Sequence, residues 1–537
     1  MSRKRIAIIR APFTYRYNCL DVREDAIVSY LYGYLEQIGL KNIFIFDYHL
    51  DRELTFEKVC TICADAYVIV VRETGDNIHY VLRLANALAY STSSEIILYG
   101  QTTRLHNLSL PKKIKICRHN EQELATLLGL DISKALVFAQ GLKIKPYINT
   151  LPLAVWQKNR IKGSIETTRG CVYKCKFCFI NVGNNYGFKW KVRPTNDIII
   201  DLQTYITLGI RNFVFNDSEF LGGSNKDFLL KRELLNRIIT DLPPIKYKIY
   251  CRADTLEKFN DYQTLKKSGL VSVFIGVESL YQSDLDALNK DLNVNTTINA
   301  IRNLRKHKIY SDLSFIFFNH NTNTQSIRDN LDKIEMLLNE SAGRYMGMPY
   351  FSFSFESGWS ESEYMNNWIS KKTYLKYDVL MKTPAAKGAC FDTNLEPLME
   401  VYRLLAYEWS KKVIFLNQVR SNCDKDSQIL IEVWFQKLAM FCVKTMKYFL
   451  DEFVQGHLQL TNLPSSKLRL YEKIQDYYLI LPEKMRQLET FDVHANKIDY
   501  QDTSGLVEND EYWTQQIPWR NAFDFHSQEE LNKILEN

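Results

Sequence analysis

Three cysteines dominate the chemistry this sequence can offer. They lie in Thr167–Asn181, TTRGCVYKCKFCFIN, as Cys171, Cys175 and Cys178, a CxxxCxxC spacing. A chain of 537 residues with 11 cysteines would show that spacing by chance about 0.005 times. A bare CxxC would turn up roughly 0.2 times on the same arithmetic. Cys60 and Cys63, on a helical stretch leading into an apolar strand, therefore read as buried core thiols, and Cys251 at a strand end reads as packing. Thiolates ligate iron–sulfur clusters, whose cubane form has four irons and ordinarily wants four cysteines. Three thiolates leave one iron open, as a catalytic metal site requires. A zinc site of three cysteines and one histidine is the competing use of these residues. It needs a nearby histidine, and the nearest in sequence, His119 and His307, are remote.

The elements around the triad are legible from hydrophobic patterning. Upstream, Arg5–Arg10, Asn42–Asp47, Ala66–Val71, Glu95–Gly100 and Ile114–Cys117 read as five short strands. Helical patterns fall near Asp25–Ile38, Thr55–Ala64 and Asn77–Tyr90, and another begins at Glu121. This alternation predicts a doubly wound five-stranded parallel sheet over residues 1–133, with ligands expected at the strand carboxyl ends. No GxGxxG follows the first strand, so a dinucleotide site is not supported. Residues 134–158, aperiodic and holding Pro146 and Pro152, read as a linker on the surface. From 159 to 358 a second series follows, with strands at Ile161–Thr167, Asn212–Asn216, Lys246–Cys251, Val271–Ile275, Asp312–Phe318 and Tyr350–Phe355. Helices fit between them at Asn196–Leu208, Lys226–Ile239, Thr297–His307 and Thr324–Leu338. Six units predict a partial (β/α)6 barrel, since the eight-unit form needs roughly 250 residues. Residues 359–537 read as a mostly helical domain, where Ile431, Phe435, Leu438, Cys442, Met446, Phe449 and Phe453 mark one face of a long helix. The last 35 residues, polar and acidic, read as a loosely ordered tail.

Composition bounds the partners. The chain is 46% hydrophobic and 24% charged, with 68 basic against 62 acidic residues, a net charge of +6. That excess is too small to predict nucleic acid as the main partner. No run of 18 apolar residues occurs, so no membrane span is expected. The basic start MSRKRIAIIRAPF loses its apolar run at Arg10, too early for a signal peptide. Sparse cysteines in odd number point to a reducing compartment, and the expected localisation is the cytoplasm.

The triad, with Phe177 before its last cysteine, resembles the signature of the radical S-adenosylmethionine (SAM) enzymes. The resemblance implies a [4Fe-4S] cluster on Cys171, Cys175 and Cys178, whose open iron binds SAM and whose electron splits it to a 5′-deoxyadenosyl radical. An electron donor such as flavodoxin or ferredoxin is implied with it. The likeness extends along the chain. Gly170 precedes the loop, and Lys191-Val192-Arg193-Pro194 resembles the basic segment opening the first barrel helix. Asn216, Asp217 and Glu219 end the second strand, where relatives carry a turn near the methionine amino group. Arg252 ends the third strand, and Glu278 and Ser279, followed by Leu288-Asn289-Lys290, match the fourth-strand segment that reaches the SAM ribose or amine. With Phe177, these are the implied SAM contacts. Read alone, Asp217 and Glu219 would cap the helix that follows. Phe315–Asn321 (FIFFNHN) departs from the Gly-rich pattern that relatives place on the fifth strand.

A five-stranded α/β domain directly before such a barrel resembles the cobalamin-binding class of this superfamily. Free cobalamin domains with a histidine ligand carry DxHxxG after the first strand. Here Asp47-Tyr48-His49 follows the second strand, with Arg52 in place of the glycine, so His49 reads as an ordinary strand-end residue. Many relatives lack the motif and bind the corrin without histidine ligation. Tyr15, Asn18, Arg72, Thr74, Asn77, Gly100, Gln101 and Thr102 are candidate corrin contacts by loop position. The resemblance implies a methyltransferase acting on an unactivated carbon, or a phosphinate phosphorus, of a small natural-product-type substrate. A cobalamin-containing enzyme of ring contraction, cyclisation or rearrangement is the alternative. A non-enzymatic iron–sulfur sensor is a remote third, since it leaves the polar strand ends unexplained.

Overall fold

Arg5–Arg10 (RIAIIR) and Ala66–Val71 (AYVIVV) are buried almost throughout, as strands covered on both faces must be. In the computed structural model they are β1 and β3 of a parallel sheet with β2 (Asn42–Asp47), β4 (Glu95–Gly100) and β5 (Ile114–Arg118), in the order β2-β1-β3-β4-β5. The structure describes residues 4–11, 22–51, 54–71, 77–100, 110–118, 120–131, 138, 141–153, 158, 161–175, 177–178, 190–319, 321–341, 350–352, 374–378, 383–386, 393–402, 405 and 425–479. Strand β2 lies at the sheet edge and is only half-buried. The crossovers carry α1 (Ala26–Gln37), α2 (Phe56–Thr61) and α3 (Asn77–Ser91), while α4 (Glu121–Leu127) follows β5. Local capping starts these helices where the sequence shows it: the Asp25 carboxylate accepts from Ile27 N at 2.8 Å, and Asn120 accepts from Gln122 N and Glu123 N. The strand order reverses between β1 and β3, the switch point where doubly wound sheets open a crevice.

The expected surface linker keeps Lys143, Asn149, Thr150 and Pro152 exposed, but it is packed down by other residues. Phe138, Leu142, Tyr147 and Ile148 are buried, and much of the segment's backbone bonds to side chains, with Lys145 N donating to the Ser29 carbonyl of α1 at 3.1 Å. Gly141 N donates to Asp197, and Ile144 N to Asp201. Tyr147 N and Ile148 N both donate to the buried Glu24 carboxylate. Gly33 of α1 makes room for it, since a Cβ there would overlap the Lys143 carbonyl. Side-chain acceptors replace the ladder, so no period survives in the sequence, although every polar group must still be satisfied. The thiols of Cys60 and Cys63 also differ from expectation. Cys60 is half-buried and Cys63 exposed, the latter in a left-handed turn (φ 52°) after α2.

The second series begins at β6 (Gly163–Ile165), then a small antiparallel pair, β7 (Thr168–Arg169) with β8 (Lys191–Val192). There follow α5 (Thr195–Thr207), β9 (Asn212–Phe215), α6 (Asn225–Asp241), β10 (Lys246–Cys251), α7 (Ala253–Phe259), α8 (Tyr262–Lys267), β11 (Leu270–Glu278), α9 (Gln282–Ala287), α10 (Val294–Lys306), β12 (Tyr310–Ile316), α11 (Thr324–Ser341) and β13 (Tyr350–Ser352). The second sheet has the order β13-β12-β11-β10-β9-β6, parallel from β6 through β9 and β10 to β11.

The chain divides into two compact units. The first holds Met1–Glu278, Leu285–Ser314 and Ser354–Lys387. The second holds Ser279–Asp284, Phe315–Phe353 and Gly388–Asn537. Within the second, the long helix Lys425–Val454 buries Ile431, Phe435, Leu438, Cys442, Met446 and Phe449, as the spacing predicts, while Phe453 is half-buried. Its Lys447 pairs with Asp332 and Glu335 of α11. The C-terminal tail lies outside the described residues. Among the described residues, no helix is long and apolar enough to cross a membrane.

Candidate functional site

The cysteine loop leaves the carboxyl end of β6 and is held at its root by a buried carboxylate. Asp217 accepts from Thr167 N at 2.6 Å, from Thr168 N at 2.7 Å and from the Thr167 hydroxyl at 2.6 Å. Thr167 Oγ1 in turn takes a hydrogen bond from the ammonium of Lys231, a fully buried residue of α6 that lies 4.1 Å from the Phe220 ring centroid. Burial lowers the Lys231 pKa to about 8, although Asp217 and Glu219 oppose the shift. Asp217 is therefore anchored to the loop root. Neither it nor Glu219 caps α6, which starts with a capping box between Ser224 and Asp227. Gly170 (φ 79°) then turns the chain into Cys171.

Arg169, two residues before Cys171, reaches the other way. Its Nε donates to Glu166 at 2.8 Å, its Nη1 to Glu121 of α4, and its plane covers the Phe138 ring at 4.0 Å. Arg193 closes the loop's far end, donating to Tyr30 at 2.6 Å, Asp201 at 2.5 Å and the Leu142 carbonyl at 2.6 Å.

Cys175 is buried, while Cys171 and Cys178 are half-buried, and Cys178 N closes a turn onto Cys175 O at 3.2 Å. Burial pushes the Cys171 thiol up to about 12. The strand ends of β10 and β11 face the loop. Arg252 Nη1 lies 3.3 Å from Cys175 Sγ, and the guanidinium covers the Tyr173 ring at 3.9 Å. Lys290 pairs with Glu278 at 2.8 Å and sits 5.4 Å from the Phe177 ring centroid. Asn289 donates to Lys174 O at 2.9 Å. Glu278 (φ 62°), Asn289 (φ 50°) and Asp291 (φ 49°) all adopt left-handed backbone, a concentration of local strain beside one loop. A Cβ at Gly276 would meet the Glu278 carboxylate, which would have to shift from Lys290.

The sequence-derived SAM candidates divide by position. Phe177, Arg252 and Glu278 come together at the cysteine loop through these contacts. Glu219 is buried behind them, accepting from Arg252 N at 2.8 Å, Cys251 Sγ at 3.1 Å and Thr255 Oγ1 at 3.1 Å, and burial raises its pKa to about 7. Asn216 bonds to Ser164 and accepts from Arg23 at 3.1 Å. Ser279, in the second unit, bonds to Asp284 at 3.0 Å and to Asn330. Of the corrin candidates, Tyr15, Asn18, Arg72, Thr74, Gln101 and Thr102 lie outside the described residues, and Asn77 is described only as the first residue of α3. Gly100 ends β4 at φ 123°, where a Cβ would stand 2.7 Å from Val71 O. His49 is half-buried, its backbone N bonded to Asp47 at 2.9 Å in a strand-end turn.

Sequence reasoning missed Thr167, Tyr173, Lys231 and Lys290 as parts of this constellation, while Asp254 lay in the strand-end run Cys251-Arg252-Ala253-Asp254. Lys290 lay within a noted motif, but Lys231 looks like any helical lysine until α6 docks. The donor set fits an iron–sulfur cluster: three thiols on one loop, one already taking an N–H from a cation that would balance a thiolate. Among the described residues, no three His, Cys, Asp or Glu side chains converge as a single ion would require. Ligands of a cubane each meet a different iron, so the triad needs no such convergence.

Comparison with known proteins agrees with this geometry. Residues 165–334 match the family model of the Radical SAM superfamily, so the chain carries a radical SAM domain. Over 154 residues it is 28% identical to the anaerobic magnesium-protoporphyrin IX monomethyl ester cyclase of Cereibacter sphaeroides, covering 28% of this chain and 24% of that protein. Over 137 residues it is 27% identical to the hopanoid C-2 methylase of Rhodopseudomonas palustris, covering 25% of each. The chain thus spans about a quarter of the length of these two curated relatives. In fold it is similar to the cobalamin-dependent SAM radical enzyme OxsB, solved with aqua-cobalamin and SAM bound, with a TM-score of 0.64 and 14% identity over 96% of this chain and 84% of that one. Both parallel sheets and the helical C-terminal part take part in that likeness of fold.

Proposed function

We propose that this chain is a cobalamin-dependent radical SAM methyltransferase that methylates an unactivated carbon, or a phosphinate phosphorus, of a small-molecule substrate. One observation carries the reading: a CxxxCxxC loop at the strand ends of one parallel sheet, in the same compact unit as a complete β2-β1-β3-β4-β5 sheet. When bound, the cluster and SAM supply a hydrogen-abstracting radical, and cobalamin supplies the methyl group. Cys171, Cys175 and Cys178 hold the cluster. Phe177, Asn216, Glu219, Glu278 and Ser279 are the candidate SAM contacts, with Asp217 fixing the loop root. The corrin would lie at the β1/β3 switch point, over the loops that carry Tyr15, Asn18, Arg72, Thr74, Asn77, Gly100, Gln101 and Thr102. A flavodoxin or ferredoxin would deliver the electron.

The experiment is anaerobic reconstitution of the full chain with iron, sulfide and hydroxocobalamin, then iron and cobalt counts after free cofactor is removed. Four irons and one cobalt are expected, with iron and SAM cleavage both lost in Cys175→Ala. Iron without retained cobalt would sink the cobalamin part. The cyclase relative favours a second reading, non-methylating radical chemistry on the same site. Product counting separates the two: methylation yields S-adenosylhomocysteine together with 5′-deoxyadenosine, and cyclisation or rearrangement yields little of the former.

A further inference from the structure

Arg252 is placed for a task other than the SAM contact that the strand-end position suggests. Four of its five N–H groups already have partners. Nε donates to Asp254 at 2.8 Å, Nη1 to Cys175 Sγ at 3.3 Å, and Nη2 to the carbonyls of Lys290 at 2.7 Å and Asp291 at 3.3 Å. Two of those acceptors exist because Asn289 and Asp291 hold left-handed backbone, which shapes the turn that presents both carbonyls to the guanidinium. Tyr173 covers its face. Arginine, carbonyls and ring together form a fitted, buried socket whose one chemically distinctive contact is a cysteine sulfur.

We propose that Arg252 is a positioning residue that tunes the redox potential of the iron–sulfur cluster, through its hydrogen bond to the Cys175 sulfur. This rests on the triad holding a cluster. Reduction adds one negative charge to the cluster and its thiolates. A charge-assisted N–H on a ligand sulfur stabilises the reduced state more than the oxidised one, and so raises the potential. The neighbouring cation, Lys290, is already neutralised by Glu278 at 2.8 Å, so it contributes less. Asp254 offsets part of the Arg252 charge, and its removal should act in the opposite direction.

The test is a mediated redox titration of the full chain carrying its cluster, without SAM or cobalamin, followed by electron paramagnetic resonance of the reduced cluster. At the wild-type midpoint, Arg252→Gln is expected to lower the ratio of reduced to oxidised cluster about tenfold, about 59 mV for a one-electron couple. Arg252→Lys, which keeps the charge but loses the planar fork, should fall between them. Asp254→Asn should raise the ratio. An unmoved midpoint in both arginine variants overturns the proposal, and weakened SAM binding in them would then assign the guanidinium to SAM. If Arg252→Gln fails to hold a cluster, the lysine and Asp254→Asn variants decide. A wild-type chain that assembles no cluster overturns the radical SAM reading itself, a result distinct from an unmoved midpoint.

Discussion

At the scale of single residues, the loop root is a chain of three groups: the Lys231 ammonium, the Thr167 hydroxyl and the Asp217 carboxylate, all buried. Removing the carboxylate while leaving the cation is the costly half of such an arrangement, on the order of 3 kcal/mol. Asp217→Asn is therefore expected to lower the melting temperature of the full chain, and adding Lys231→Met should recover much of the loss. Additive damage in the double variant would show that the two do not act as a pair. The cysteines were legible in the sequence because their chemistry resides in spacing, and Arg252 and Glu278 because they end strands. Lys231 was not legible. Its role is fixed by the rotation of α6 against the sheet, and nothing local distinguishes it from Lys226 five residues earlier on the same helix.

At the scale of elements, strand positions followed from apolar runs to within a few residues, while the anchoring of residues 134–158 was not legible because their order is not periodic. Their anchor is Glu24, just before α1. It accepts from Tyr147 N, Ile148 N, Ser29 and, at 2.5 Å, the hydroxyl of Tyr205 on α5. No cation is among these partners, and burial raises its pKa to about 7. An unfolded glutamate titrates near about 4.3, so the native state binds the extra proton between the two values. Stability is then fully present below the lower value and lost as pH rises through about 7, by about 4 kcal/mol at most. The melting temperature should fall between pH 5 and pH 8 in the wild type. Glu24→Gln, which mimics the protonated form, should lose that share of the slope. Parallel slopes in the two proteins would remove Glu24 as the source.

At the scale of the molecule, the first compact unit runs from Met1 to Glu278 without a break, so the first sheet and strands β6 to β11 of the second are joined by core and not by a tether. Arg169 to Glu121, Arg193 to Leu142 and Tyr205 to Glu24 all cross that join. Under the proposed function, a join of this kind would hold the cluster loop and the first sheet in one body. Gly33 tests it. In an open helix, glycine to alanine stabilises by about 0.5–1 kcal/mol. At Gly33 the added Cβ would overlap the Lys143 carbonyl and stand 3.2 Å from Lys145 N, backbone that cannot yield without lifting the segment. Gly33→Ala should therefore destabilise, against the sign of helix propensity. Trypsin should spare the Lys143–Ile144 bond in the wild type, and cut there in the variant well below its melting temperature. A more stable, equally resistant variant would mean that the segment does not lie against α1.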